Sequence, residues 1–211
     1  MIPATLGPLD CWTNGLRGPA VLVALHGLGQ RPETSRGGYL SFSDMSQLPA
    51  TCELAGLPLV LPAAPRRNWT RRHIPDIRET IEAAMDAAGA DTCWLAGFSD
   101  GATWAYRVAM ADPNVSAAVI HSMLWSGPPL NEPPRDIPLL FVRSLEDPTP
   151  TGDQTLACYE CHLSLGRHPE RIDQMGRHPA DGRLAGHWWS PETSQRAIDW
   201  LARLPGSEKP A

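Results

Sequence analysis

The chain has 211 residues, 42% hydrophobic and 19% charged, with a formal net charge of −5 and a pI near 5.8. That length suits one well-buried domain and is short for two. An acidic balance without a basic stripe argues against a nucleic-acid surface, and no apolar run approaches the ~20 residues that span a bilayer.

Taken in chain order, the first strong signal is "AVLVAL" (20–25), followed by "PLVL" (58–61), "TCWLAG" (92–97), "SAAVI" (116–120) and "IPLLFV" (137–142). Short, continuous apolar runs suit strands buried on both faces of a parallel sheet. Between them, Pro75 opens a helical stripe of Ile77, Ile81, Ala84, Met85 and Ala88. A helix is expected over 102–111. "DQTLACYECHLSL" (153–165) places Leu156, Tyr159 and Leu163 on one face, and Ala197, Ile198, Leu201 and Leu204 form a last stripe after Pro191. The Pro-rich piece 126–138 reads as a surface connection, and 203–211 as a frayed tail. Strands alternating with helices imply βαβ crossovers, hence an α/β sheet covered on both sides and one domain over 1–211.

Cys11, Cys52, Cys93, Cys158 and Cys161 are an odd, scattered set, which suits reduced thiols. The first twenty residues show no charged start followed by an apolar core, so the expected location is cytoplasmic.

The most specific local feature is Ser99 between Gly97 and Gly101 in "LAGFSDGATWAYRVA". It follows an expected strand and precedes an expected helix. A tight turn at that junction strains the serine backbone, and small neighbours at −2 and +2 relieve collisions. The hydroxyl then projects beside the positive end of the helix. A serine hydroxyl needs a general base, and an imidazole base needs an acid to fix its tautomer.

"RSLEDPTP" after the last strand offers Asp147 as the acid, and "LAGHWW" before the final helix offers His187 as the base. Glu146 and Asp153 compete for the acid role, and Asp147 is also a plain turn residue before Pro148. His162, His168 and His178 compete with His187, but none has its place after a glycine and before the terminal helix. The oxyanion hole would use the main-chain N–H of Asp100 and of Leu28 in "HGLGQ" (26–30), with His26 holding that loop.

In this order the motifs resemble the α/β-hydrolase superfamily, serine-esterase type. "LVALHGLGQ", "LAGFSDGATWAYRVA", "LLFVRSLEDPTP" and "GHWWSPE" are most similar to the small polyhydroxybutyrate-depolymerase-like and feruloyl-esterase-like branch, with the carboxylesterase and acyl-thioesterase branch a near neighbour. The resemblance covers residues 20 to 204. It implies a three-layer fold with a mostly parallel sheet of six to eight strands. It also implies Ser99 as nucleophile, His187 as base, Asp147 as acid, and the amides of Leu28 and Asp100 as oxyanion donors.

There are departures: "RSLED" stands where "HGTxD" is common, and Ala102 replaces a second glycine. Few residues precede "AVLVAL", so the leading antiparallel strands are expected to be shortened or missing. No insertion is large enough for a cap domain, so the serine is expected in an open groove. Trp69, Trp125, Trp188 and Trp189 are candidates to line it, with packing the alternative.

The activity implied is cleavage of carboxylic esters through an acyl-enzyme, on a small-molecule substrate, with no cofactor, no metal, no nucleic acid and no membrane span; a homodimer is left open. The alternative is thioester or lysophospholipase-type acyl hydrolysis on the same triad, and a more remote one is a non-catalytic binding module. "CYECH" (158–162) matches a haem-attachment pattern but falls within a helical stripe. A zinc site from Cys158, Cys161, His168 and His178 fits no finger or ribbon spacing. Both are set aside.

Overall fold

A computed structural model of the chain describes residues 1–29, 33–34, 40–41, 45, 47–125, 135–176 and 186–204. The chain opens with β1 (Ile2–Leu6) and β2 (Leu9–Thr13), an antiparallel hairpin turning at Gly7, whose φ of 64° suits glycine. It continues through β3 (Ala20–Leu25), a two-residue pair β4 (Glu33–Thr34) and β5 (Leu40–Ser41), α1 (Leu48–Ala55), β6 (Leu59–Pro62), α2 (Ile74–Ala88), β7 (Thr92–Phe98) and α3 (Asp100–Ala109). The last elements are β8 (Val115–His121), β9 (Leu139–Ser144), α4 (Thr151–Ser164), β10 (Glu170–Gln174) and α5 (Pro191–Leu201).

Among the described residues, eight strands form one sheet in the order β1-β2-β6-β3-β7-β8-β9-β10. From β6 to β10 all neighbours are parallel, while β2 joins β6 antiparallel. The run "AVLVAL" shows why continuous hydrophobicity marks a central strand. Val21, Val23 and Leu25 enter one core with α2, α3 and α4, and Ala20, Leu22 and Ala24 enter the other with α1 and α5. The result is an α/β/α stack of three layers.

Each expected strand and helix is present with ends shifted by only a few residues. The leading antiparallel strands are short, at five residues each, but they are not missing, which corrects that part of the expectation. They lie at the sheet edge with alternating, half-solvated side chains, so they carry no continuous apolar run. Strand β10 and helix α1 had no expected counterpart. β10 reads "ERIDQ" and buries only Ile172 and Gln174, as an edge strand can. Residues 126–134 of the Pro-rich connection, His178 and 205–211 lie outside the described residues.

Chain connections reverse direction across the sheet at β3: β6 lies to one side of it and β7 to the other. The carboxyl ends of β3 and β7 therefore flank the crevice where such folds place ligands. Ser99 follows β7 there.

Candidate active site

Ser99 has φ 54° and ψ −119°, a conformation that L-residues rarely adopt and that costs on the order of 1–3 kcal/mol. The flanking glycines explain how it is enforced. A Cβ on Gly97 would stand 2.6 Å from Ala102 Cα, and one on Gly101 would overlap the carbonyls of Leu25 and His26. Gly97 thus lets α3 close onto β7, and Gly101 lets its first turn close onto the end of β3. The glycines serve approach between elements as much as relief around the serine itself.

The three side chains far apart in sequence meet. His187 Nε2 lies 2.9 Å from Ser99 Oγ, and His187 Nδ1 lies 2.6 Å from Asp147 Oδ2. The Asp147 carboxylate is fully buried and the His187 side chain is 13% exposed. Burial alone would raise the Asp147 pKa. Hydrogen bonds from His187, from the Thr151 hydroxyl at 2.7 Å and from the Thr149 hydroxyl and N–H at 2.7 and 2.9 Å outweigh it and hold the carboxyl at about 2. An ionised Asp147 accepts a hydrogen bond from His187 Nδ1–H, which leaves the Nε2 lone pair facing the Ser99 hydroxyl. Phe98 packs its ring 4.7 Å from that of His187.

Gly186 precedes His187 for a steric reason: a Cβ there would overlap the Glu146 carbonyl. The competing acids are engaged elsewhere. Glu146 Oε1 accepts from Gly176 N–H at 3.3 Å, and Asp153 pairs with Arg143 at 2.9 Å.

The loop after β3 is braced by its own histidine. His26 Nδ1–H donates to Gly27 O at 2.7 Å, and Nε2 accepts the Ala64 N–H at 2.9 Å. Burial keeps that ring neutral, with its pKa lowered to about 4. Trp69 Nε1–H donates to His26 O at 3.0 Å, and Trp69 N–H donates to Asp100 Oδ2 at 2.9 Å. Trp104 Nε1–H reaches Asp100 Oδ1 at 3.2 Å. The Asp100 carboxyl is raised by burial, against these two donors and His73. Its carboxylate is thus occupied in the scaffold. Among the described residues, the N–H groups of Leu28 and Asp100 have no hydrogen-bond acceptor.

Of the four tryptophans expected as groove candidates, Trp69 and Trp189 are buried and serve packing, which corrects their place there; Trp125 and Trp188 are half-buried. His162 is buried on α4, with its Nε2 2.9 Å from the Tyr106 hydroxyl. A cleft of about 440 Å³ lined by Asp136, His162, Arg167, Glu170 and Trp200 lies at the amino ends of β9 and β10, away from Ser99. Among the described residues, no group of three His, Cys, Asp or Glu side chains is placed to hold a metal ion, and no helix is long and apolar enough to cross a membrane.

Thr149, Thr151 and Gln174 belong to the site without having been expected there. The threonines follow Asp147 at +2 and +4, a spacing at which hydroxyls commonly cap an aspartate turn, so a signal existed. Gln174 gave none.

No family model matches the chain, and no curated protein matches it in sequence. Solved structures do match it. A protein of unknown function from Agrobacterium tumefaciens, provisionally called an α/β hydrolase, is 16% identical with a TM-score of 0.68, covering 100% of this chain and 99% of its own. A carboxylesterase from Mesorhizobium loti is 17% identical with a TM-score of 0.61, covering 95% and 100%. A carboxylesterase from Bacillus cereus is 12% identical with a TM-score of 0.64, covering 93% and 94%. At these identities the shared property is the architecture: the chain has the α/β-hydrolase fold.

Proposed function

We propose that the chain is a single-domain serine hydrolase that cleaves carboxylic esters through an acyl-enzyme. The observation that carries this reading is the continuous hydrogen-bonded line from Asp147 through His187 to Ser99, at 2.6 and 2.9 Å. In attack, Ser99 Oγ bonds to the carbonyl carbon while its proton passes to His187 Nε2. The carbonyl oxygen gains charge, and the Leu28 and Asp100 N–H groups are the donors proposed to meet it. His187 then protonates the departing alkoxide and the acyl group stays on Ser99. A water gives its proton to His187, attacks the ester carbon and releases the acid, and His187 returns the proton to Ser99. Asp147 stays ionised throughout and steadies the imidazolium.

An apolar acyl group is supported by the rim. Leu28, Leu124, Leu145 and Met175 follow β3, β8, β9 and β10 and leave large hydrophobic side chains exposed there. All five cysteines are free, which supports a reducing, cytoplasmic setting. Matched chromogenic ester, thioester and anilide substrates test the class. The ester is expected to turn over fastest, and Ser99→Ala to abolish turnover. A faster thioester moves the assignment to acyl-thioester hydrolysis, and turnover undiminished in Ser99→Ala rejects the mechanism.

A further inference from the structure

The loop that carries the base hangs on one buried amide. Gln174, the last residue of β10, is 4% exposed. Its Nε2 donates to the Trp188 carbonyl at 2.8 Å and to the Ser144 hydroxyl at 3.1 Å. Its Oε1 accepts from Ser190 N–H at 3.0 Å and from the Thr193 hydroxyl at 2.6 Å, with His121 Nε2 at 3.3 Å. Both amide protons and both lone pairs are engaged. The Trp188 carbonyl can only accept and the Ser190 N–H can only donate, so the amide has one permitted orientation.

These partners are not scattered. Trp188 and Ser190 follow His187 directly and open α5. Ser144 ends β9, just ahead of Asp147, and the main-chain carbonyl of Gln174 accepts Leu145 N–H at 3.0 Å. One residue therefore ties the segment before the acid to the segment after the base. The nucleophile needs no such tie, because it sits on a turn locked by backbone packing.

We propose that Gln174 is a positioning residue for the base, setting where His187 stands between Ser99 and Asp147 by clamping the main chain at 188–190. The proposal rests on the serine-hydrolase reading. A displacement of about 1 Å at a reacting group lowers rates about 100-fold, and the clamped backbone begins one residue from the imidazole. Gln174→Met keeps the volume and removes every side-chain hydrogen bond from position 174, so the Ser190 N–H and the Trp188 carbonyl lose their bonds to it.

The test compares wild type, Gln174→Met and, as a matched control, Ile198→Val in the buried face of α5. Esterase kinetics are measured well below the melting temperature, alongside the low-field proton resonance of the His187 Nδ1–H. Gln174→Met is expected to lower kcat about 10- to 100-fold with KM within about threefold, and to shift or broaden that resonance. Ile198→Val, destabilised by a lost methyl, is expected to keep both. Where the methionine variant does not fold, Gln174→Asn carries the test, since it retains an amide one methylene short of Trp188 and Ser190. Wild-type kcat with an unmoved resonance overturns the proposal, as does an equal kcat loss in Ile198→Val. Should wild type cleave no ester and take no fluorophosphonate label, the hydrolase reading fails by itself, and the His187 resonance still decides whether Gln174 positions the ring.

Discussion

The two halves of the site are made rigid by different physics. On the Ser99 side, α3 closes onto β7 at Gly97 and onto the end of β3 at Gly101 so tightly that only glycine fits at either position, and the strained Ser99 is held by the hard contact of backbone on backbone. On the Asp147–His187 side, beyond β9 and β10, the contacts are a polar network: Thr149 and Thr151 on Asp147, and Gln174 on the segment after His187. Steric fixation tolerates no added atom. Hydrogen-bonded fixation should instead degrade in steps, one bond at a time.

The largest effect should therefore come from the steric side. Gly101→Ala puts a methyl into the Leu25 and His26 carbonyls and is expected to cost more than about 4 kcal/mol, read as a collapse of the denaturant midpoint or loss of soluble protein. Gly29→Ala is the contrast. That glycine has φ 78° and open space around its missing Cβ, so only backbone strain of about 1–2 kcal/mol is expected. Equal stability of the two variants would break the comparison.

On the polar side, Asp147→Asn should leave the fold intact and lower kcat by about 10³- to 10⁴-fold, because the wrong tautomer faces Ser99. Glu146→Gln should change it by less than about fivefold, since Glu146 binds Gly176 N–H and not the imidazole. The reverse ranking would hand the acid role to Glu146.

Acid stability sharpens the contrast further. Burial lowers the pKa of His26 and His162 to about 4 and of His121 to about 3. Their folded rings bind protons more weakly than the same rings in the unfolded chain. Stability is thus full above pH ~6.5 and is lost as pH falls toward 4, at about 1.4 kcal/mol per pH unit for each ring. Thermal melting from pH 7 to 4 should show this slope, and His121→Gln should flatten it. A melting temperature flat over that range would contradict the buried, neutral assignment. A small effect is expected of Thr151→Val, which removes one of several bonds to Asp147, raises its carboxyl pKa from about 2 and lowers kcat only several-fold.

The same division explains what was legible in the sequence. Steric requirements write themselves locally: glycines two residues either side of Ser99, and a glycine before His187. Buried central strands announce themselves as apolar runs, so β3, β6, β7, β8 and β9 could be placed. The network proposed to orient His187 is written in Gln174, Ser190 and Thr193, joined across 14 to 19 residues or more with no periodicity to reveal them. Its anchor lies on β10, an edge strand too polar to resemble its neighbours. The β1–β2 hairpin escaped for a related reason, since only one of its faces is buried.

The central claim is that the imidazole at 187 activates one hydroxyl out of all those in the chain. Intact-mass spectrometry after brief treatment with a fluorophosphonate reads this directly. The expected result is a single phosphonyl group per chain, mapped to Ser99, with none on Ser99→Ala and a much slower reaction in His187→Ala. An unlabelled wild type, or the same mass gain in Ser99→Ala, would contradict the account.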